Sequence, residues 1–314
     1  MSSRSAAWIL GLALLQGAPA SAVAIDWTFV GNPGNACETQ SQGCFGAVAY
    51  PYQISTYEVT NSEYAEFLNA VAATDPNTLY STSMSAGFGG ITRTGASGSF
   101  TYGAISVRAD VPVNFVSFYD ALRFANWLNN GQPTGAQTSA TTEDGAYTFS
   151  GATTVGSRNP GAKVFLTSED EWYKAAYYVA AGAGYLPYPT GSSAQTICAA
   201  PTVAANRANC GNVVGDLRVG GSYPNSASPY GTFDQGGNVY ELNESIPTPS
   251  SRAERGGTFL SSANILAASS QSNVSPTSQD ATIGFRVAPE PGRDSTLLAG
   301  ILALALTRWR RAHA

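Results

Sequence analysis

Histidine is almost absent from this sequence, which has one among 314 residues, His313. Because that residue lies in a C-terminal stretch that we expect to be removed, the mature protein has no imidazole. The absence excludes a Ser-His-Asp triad, a histidine zinc site and an iron site with imidazole ligands. Catalysis by carboxylates, tyrosines or lysines stays open, for example by a glycosidase-like carboxylate pair.

Charge is also scarce. Asp, Glu, Lys and Arg make up 12% of the chain, whereas typical soluble domains contain about 25%. Ser, Thr, Asn and Gly supply the polarity instead, a composition typical of a surface built from loops. The net charge of −5 and the lack of a basic stripe in the mature region argue against a nucleic-acid partner.

The N-terminus has no apolar run long enough to cross a bilayer. Arg4 precedes an apolar stretch over residues 6–15, and Ala20-Ser21-Ala22 follows the small-x-small rule for signal peptidase. We therefore expect residues 1–22 to be a signal peptide and the protein to be exported.

The C-terminus combines three features in order. Pro289-Glu290-Pro291 is followed by an apolar stretch over 297–306 and by Arg308, Arg310 and Arg311. Taken alone, the pattern is that of a short tail anchor. The order of the features also resembles the PEP-CTERM sorting signal, with the tail over 289–314. That resemblance implies transient membrane anchoring, processing by an exosortase, and delivery to the cell surface or extracellular matrix of a Gram-negative bacterium.

Residues 23–288 remain as one domain, long enough to enclose a substantial core. Its four cysteines are Cys37, Cys44, Cys198 and Cys210. In an exported chain we expect structural disulfides. Four cysteines allow three connectivities, and we favour the two local pairs, Cys37 with Cys44 and Cys198 with Cys210. A redox-active pair is the alternative, but the sequence has no Cys-x-x-Cys motif.

Three helices are predicted from capping boxes, in which Thr60, Ser117 and Ser168 are each followed three residues later by Glu or Asp. The third helix is predicted to bury a stripe from Trp172 to Val179.

Strand-like runs cover 48–57, 147–150 and 284–288, whereas 182–237 is rich in turns. Loops of that length are functional or are held by a disulfide or a metal. The predicted class is α+β with high irregular content.

Seven stretches of the sequence occur in the order typical of one family. They are YEVTNSEY (57–64), PVNFVSF (112–118), LTSEDEW (166–172), SPYG (228–231), GGNVYE (236–241), RGGTF (255–259) and GFRVA (284–288). The set resembles the formylglycine-generating enzyme (sulfatase-modifying factor) family over 47–288. The resemblance implies an irregular α+β fold related to C-type lectins, often stabilised by calcium. It also implies a chemistry in which two cysteines bind copper and oxidise a substrate cysteine to formylglycine.

The residues at the copper positions do not match that chemistry. The positions that correspond to the family's two thiols hold Ser261 and Leu266, and no cysteine follows Cys210. Since soft thiolates are the ligands that select Cu(I), we expect neither copper nor formylglycine formation, and no catalytic residue is assigned. Ser261 as an unrelated nucleophile is the less favoured alternative.

A glycine-rich loop over 234–241 is the candidate calcium site. By the resemblance, the side chains of Asp234 and Glu241 and the carbonyls of Gly237 and Val239 are the ligands. Such oxygens are those that Ca²⁺ prefers, and glycine permits the close backbone approach. A turn capped by Asp234 is the alternative. A second site of the family falls near 209–216 but cannot be assigned to residues.

Two functions stay open at this point. We favour a calcium-stabilised binding domain with a glycan or a protein as ligand, because long loops on a rigid base commonly carry recognition. Aromatic residues in loops rich in Gly and Ser fit such a surface; they are Tyr80, Phe88, Tyr102, Tyr185, Tyr188, Tyr223 and Tyr230. The alternative is an enzyme that modifies a protein or a glycan.

Overall fold

The computed structural model describes residues 22–180, 182 and 184–290. This part of the chain contains the α-helices α1 (Asn61–Val71), α2 (Phe118–Asn129) and α3 (Glu169–Tyr177). Short 3₁₀ helices cover Thr82–Ser85, Ser106–Arg108 and Ala263–Leu266. No helix in these ranges has both the length and the apolar character needed to span a bilayer.

The strands are short, and none in the described ranges exceeds four residues. They are β1 (Trp27–Val30), β2 (Glu38–Gln40), β3 (Gly43–Phe45), β4 (Tyr52–Ser55), β5 (Ile91–Thr94), β6 (Thr101–Ala104), β7 (Phe149–Gly151), β8 (Thr154–Val155), β9 (Val164–Leu166), β10 (Tyr178–Val179), β11 (Gly184–Tyr185), β12 (Ile197–Cys198), β13 (Arg207–Ala208), β14 (Tyr240–Leu242), β15 (Arg252–Arg255), β16 (Ser272–Val274), β17 (Ile283–Phe285) and β18 (Val287–Pro289). The predicted α+β class with high irregular content is confirmed.

One sheet has four strands, in the order β16-β15-β14-β17. β14 pairs with β15 in antiparallel and with β17 in parallel orientation, so Glu241 lies opposite both Arg255 and Gly284. The remaining strands form two-stranded ladders, among them β1 with β4 and β18 with β9. Glu241 therefore stands in an inner strand, away from any sheet edge.

The three capping boxes predicted from the sequence are confirmed. The side chains of Thr60, Ser117 and Ser168 each accept a hydrogen bond from the backbone N–H three residues later, and the acidic side chain at that later position bonds back to the cap. These reciprocal bonds satisfy N–H groups that a helix start leaves without partners. The helix starts are thus set by local sequence.

Two boundaries differ from the sequence prediction. α3 ends at Tyr177, and Val179 belongs to β10, where it pairs with Gly184 in a tight hairpin. The predicted strand over 284–288 is divided at Arg286 into β17 and β18, which pair with different partners. In both places tertiary pairing overrides the local pattern.

The main core lies where α1 and α2 pack against β17. The ring centroid of Phe124 lies 5.4 Å from the centroid of Phe67 and 5.4 Å from that of Phe285. It lies 5.9 Å from the ring centroid of Tyr64. The buried hydroxyl of Tyr64 donates to the carbonyl of Leu79 at 2.9 Å. Aromatic rings of this kind each bury a large apolar area, and a buried tyrosine hydroxyl usually finds a hydrogen-bond partner, as that of Tyr64 does.

Candidate functional site

Glu241 and Arg286 form an ion pair that is closed to solvent. Both side chains are 0% exposed. Arg286 donates from Nε to Glu241 Oε2 at 2.6 Å and from Nη2 to Oε1 at 2.9 Å. The indole Nε1 of Trp172 donates to Oε2 at 2.6 Å. Bidentate charged pairs of this geometry are the strong ones.

The rest of the Arg286 guanidinium is bound by backbone. Nη1 donates to the carbonyls of Ser55 at 2.9 Å and Thr56 at 3.0 Å, and Nη2 donates to the carbonyl of Phe233 at 2.5 Å. The division of the predicted 284–288 strand at Arg286 is what places this side chain among three separate segments. The guanidinium therefore links the end of β4 to the glycine-rich loop.

Two further carboxyl groups lie near the same guanidinium. Glu58 Oε2 is 3.7 Å from Arg286 Nη2 and accepts no hydrogen bond from the described residues. Asp234 Oδ2 accepts from the backbone N–H of Gly221 at 2.6 Å. Burial, together with the neighbouring Asp234, raises the pKa of Glu58 well above its ordinary value. Burial also raises the pKa of Asp234, to about 6.

The four predicted calcium ligands occupy this same region. Gly237 has a φ of 88°, and an added Cβ there would lie 2.3 Å from the carbonyl oxygen of Asn209. Glycine is thus required at position 237, because the backbone of Asn209 approaches too closely for a side chain. Val239 is fully buried against Val111 and Phe259.

The fit to a calcium ion is poor at Glu241. Its two oxygens are already held by Arg286 and Trp172, so the positive charge beside this carboxylate is a guanidinium. Within residues 22–290 as described, no group of three or more His, Cys, Asp or Glu side chains is arranged to hold a metal ion. Calcium binding by this loop stays a prediction of the sequence that the contacts of Glu241 do not favour, and no step is derived from it.

The second family region, near 209–216, is held by amide and ion-pair contacts. Asn209 Nδ2 donates to Asn238 Oδ1 at 3.1 Å and to the carbonyl of Asp216 at 2.9 Å. The Asp216 carboxylate pairs with Arg108 at 2.7 and 3.1 Å. These contacts join the 209–216 segment to the glycine-rich loop and to the end of a 3₁₀ helix.

Ser261 and Leu266 meet at one glycine. A Cβ added to Gly257 would lie 3.0 Å from Leu266 Cδ1 and 3.3 Å from Ser261 Cβ. The fold therefore brings the two sequence positions together, as a two-ligand site requires. We call Gly257, Ser261 and Leu266 the Gly257 site.

The chemistry of the Gly257 site is that of a packed turn. Ser261 Oγ accepts a hydrogen bond from the backbone N–H of Thr258 at 3.0 Å. Leu266 is fully buried in a cluster with Ala208 and Cys210. A hydroxyl group used as a turn acceptor and an isobutyl group supply no thiolate for copper.

Both predicted disulfides are confirmed. Cys37 and Cys44 are bonded with their Cα atoms 5.4 Å apart, and Cys198 and Cys210 with theirs 4.8 Å apart. The second bridge closes part of the turn-rich 182–237 region, which accounts for how that long segment is held. No free cysteine remains among the described residues.

The chain matches the family description "Sulfatase-modifying factor enzyme 1-like domain" over residues 45–291. It belongs to the sulfatase-modifying factor family. The variable protein 1 of Treponema denticola has a similar structure, with a TM-score of 0.56 at 17% identity, over 84% of this chain and 95% of that chain. CarF is similar with a TM-score of 0.52 at 19% identity, over 85% of this chain and 98% of that one.

Because these structural relatives share only 17% and 19% sequence identity with this chain, the similarity establishes the fold alone. The predicted family and its C-type-lectin-related fold are confirmed. A search of the curated proteins finds no match. The predicted signal peptide and the predicted PEP-CTERM tail fall almost wholly on residues 1–21 and 291–314, outside the described residues.

The charged partners within this sulfatase-modifying factor domain are not predicted by the sequence. Glu58 and Arg286 belong to the family stretches over 57–64 and 284–288, which do not show that the two side chains approach each other. A signal was present for Arg286, since it is the charged residue of the otherwise apolar stretch 284–288, and such a residue is rarely buried without a partner. The identity of the partner could not be read from the sequence.

The predicted aromatic binding surface is only partly available. Tyr80, Tyr102 and Tyr223 are buried, with exposed fractions of 6%, 6% and 2%. Their hydroxyl groups donate to backbone carbonyls of the core and loops. Phe88 is exposed, whereas Tyr185, Tyr188 and Tyr230 are half-buried. The buried tyrosines Tyr80, Tyr102 and Tyr223 therefore pack in the interior and are not part of an exposed binding surface.

Proposed function

We propose that this sulfatase-modifying factor domain is an exported binding domain that has lost the copper-thiolate chemistry of its family. The observation that carries the proposal is the Gly257 site, where Ser261 and Leu266 stand at the positions of the family's two thiols and both lie against Gly257. All four cysteines are engaged elsewhere, in the two disulfides. Its ligand is a glycan or a protein.

The disulfides also support export. Bonds of this kind persist in oxidising compartments and are rare in the bacterial cytosol. The first bridge includes Cys44, which is exposed, and the second joins the half-buried Cys198 to the buried Cys210.

The proposal that irregular segments bind the ligand agrees with the placement of the buried charges. The three buried arginines with ion pairs, Arg123, Arg255 and Arg286, all have their carboxylate partners within the domain. These ion pairs lie within the domain, and the loops lie at its surface. A rigid scaffold that positions recognition loops is typical of binding proteins.

The first experiment tests for the lost chemistry. The purified protein is incubated with copper, oxygen and a cysteine-containing sulfatase-motif peptide, and the peptide mass is measured. We expect no change in the peptide. A loss of the thiol with gain of an aldehyde would establish the enzyme alternative and would refute the proposal.

The second experiment tests for binding. Glycan and protein arrays are probed with the full chain and, as a control, with a version whose disulfides have been reduced and alkylated. We expect a ligand that is retained by the native protein and lost by the reduced protein. Equal retention by both would show that the signal does not come from the folded domain.

A further inference from the structure

A cavity of about 310 Å³ lies apart from the Gly257 site, between the start of α2, the segment after β8 and the loop before β15. Apolar and aromatic side chains make up most of its wall; they are Phe118, Leu122, Tyr147, Val155 and Ile246. Arg158, Glu244 and Arg252 supply its charges. A largely apolar wall with few charged groups is typical of small-molecule sites, whose volumes begin at about 300 Å³. We call this cavity the Arg252 pocket.

Two of its three charged groups are already paired. Arg158 donates to both oxygens of Glu244, at 2.8 and 2.7 Å. It also donates to Glu171 at 3.2 and 3.0 Å, and the hydroxyl of Tyr147 donates to Glu244. These groups orient one another and leave Arg158 without a free donor pair for a ligand.

Arg252 is different. It is 8% exposed and forms one side-chain hydrogen bond, from Nη1 to the carbonyl of Ser251 at 2.9 Å. Its Nε is buried and has no partner among the described residues. The guanidinium carbon lies 4.6 Å from the ring centroid of Phe118. The aromatic face offsets part of the cost of burying the charge, but no carboxylate in the described part of the chain forms an ion pair with Arg252.

A buried charge without a counter-ion is costly unless something pairs with it. The group that pairs best with a planar guanidinium is a carboxylate, which accepts from two of its nitrogens. Next to Arg252, the pocket offers an apolar surface formed by Phe118, Leu122 and Ile246. The charge and the apolar wall together select a ligand with an anionic end and an apolar body.

We propose that the Arg252 pocket binds a small carboxylic acid with an apolar body. The carboxylate pairs with Arg252, and the body contacts the wall formed by Phe118 and Leu122. This inference does not depend on the proposed loss of copper-thiolate chemistry, because the Gly257 site shares no residue with the Arg252 pocket.

The test measures binding to the full chain by titration calorimetry, with hydrocinnamate as the acid and its amide, hydrocinnamamide, as the uncharged probe. We expect the acid to bind at least about tenfold more tightly than the amide. Arg252→Gln is expected to weaken binding of the acid by about 10- to 100-fold, the usual effect of losing a charged hydrogen-bond pair. Arg93→Gln is the matched control, since Arg93 also stacks on aromatic rings, those of Tyr80 and Phe100 at 4.7 and 4.3 Å.

A second pair of variants keeps the test valid if Arg252→Gln does not fold. Ile246 lines the pocket and is 59% exposed, so substitution there leaves the core intact. Ile246→Asp is expected to weaken binding of the acid severalfold by repulsion, whereas Ile246→Asn, of the same size, has a smaller effect. Equal loss in both variants contradicts the proposal.

A further titration with peptides distinguishes a peptide C-terminal carboxylate from a small carboxylic acid as the ligand. Gly-Gly-Phe with a free carboxylate and its C-terminal amide are titrated in the same way. Binding of the free acid assigns a peptide C-terminus as the ligand, and its failure, with hydrocinnamate bound, assigns a small acid. Failure of both acids to bind, equal affinity for acid and amide, or full binding by Arg252→Gln overturns the proposal.

Discussion

Arg286 donates two hydrogen bonds to the carboxylate of Glu241 at a place where neither side chain contacts solvent. The pair joins β14 to the residue that separates β17 from β18. It also lies where the sequence predicts a divalent cation. We therefore expect the domain to lose stability when the Arg286 guanidinium is removed.

Arg286→Met is expected to lower the free energy of unfolding by about 3–5 kcal/mol, because removing one partner leaves a buried charge unpaired. Urea denaturation measures it. Arg108→Met is the matched control, since the Arg108–Asp216 pair is partly exposed, at 13% and 37%, and pairs of that kind contribute about 1 kcal/mol or less. Equal losses in the two variants would contradict the central role of Arg286.

The calcium prediction is tested by melting the protein with calcium and with a chelator. The contacts of Glu241 lead us to expect the same melting temperature in both, since a ligand that binds only the native state must raise it. A rise that saturates with calcium and disappears in Asp234→Ala would establish the site that the sequence predicts.

Asp234 gives a pH dependence with a defined sign. Burial raises its pKa to about 6 in the folded protein, against about 3.9 when unfolded. Between about pH 4 and pH 6, the carboxyl group of Asp234 is therefore more protonated in the folded protein than in the unfolded chain. The contribution of Asp234 to stability is therefore present below about pH 4 and is lost as the pH rises through about 6.

Asp234→Asn is expected to remove that dependence while keeping an oxygen that can accept from Gly221. Asn also tolerates the φ of 59° at this position. The free energy of unfolding of the variant minus that of the natural protein should increase by about 2 kcal/mol as the pH rises from about 4 to about 7. Urea denaturation at each pH measures this difference. A difference that does not change with pH refutes the assignment.

The Gly257 site gives a gain-of-function test. Ser261→Cys combined with Leu266→Cys places two thiols on side chains that both lie against Gly257. We expect the double variant to bind about one equivalent of Cu(I) in a competition assay, because thiolates select that ion. Each single variant serves as the control and should bind it weakly. A double variant that binds no more copper than the natural protein would show that the site lacks the geometry for a two-thiolate ligand set.

Export and processing predict both ends of the mature chain. Mass spectrometry of protein from cells is expected to show a start near Val23 and an end near Pro289-Glu290-Pro291, with links between Cys37 and Cys44 and between Cys198 and Cys210 in a non-reducing digest. An intact cluster of Arg308, Arg310 and Arg311 would instead favour a plain tail anchor.

The sequence determined the features that depend on neighbours along the chain. The three helix starts follow from capping boxes in which Thr60, Ser117 or Ser168 bonds within its own turn. The two disulfides follow from spacings of 7 and 12 residues. The family and its fold were also accessible, because its motifs recur in order along the chain.

Tertiary structure alone decided which distant side chains meet. Glu241 and Arg286 are 45 residues apart, and no periodic pattern couples two positions at that separation. The same holds for Arg252, whose lack of a counter-ion becomes visible only when the wall of its pocket is assembled. Local hydrogen bonds fix the ends of helices, whereas the partners of buried charges are fixed by which segments pack together, and packing follows from the whole chain.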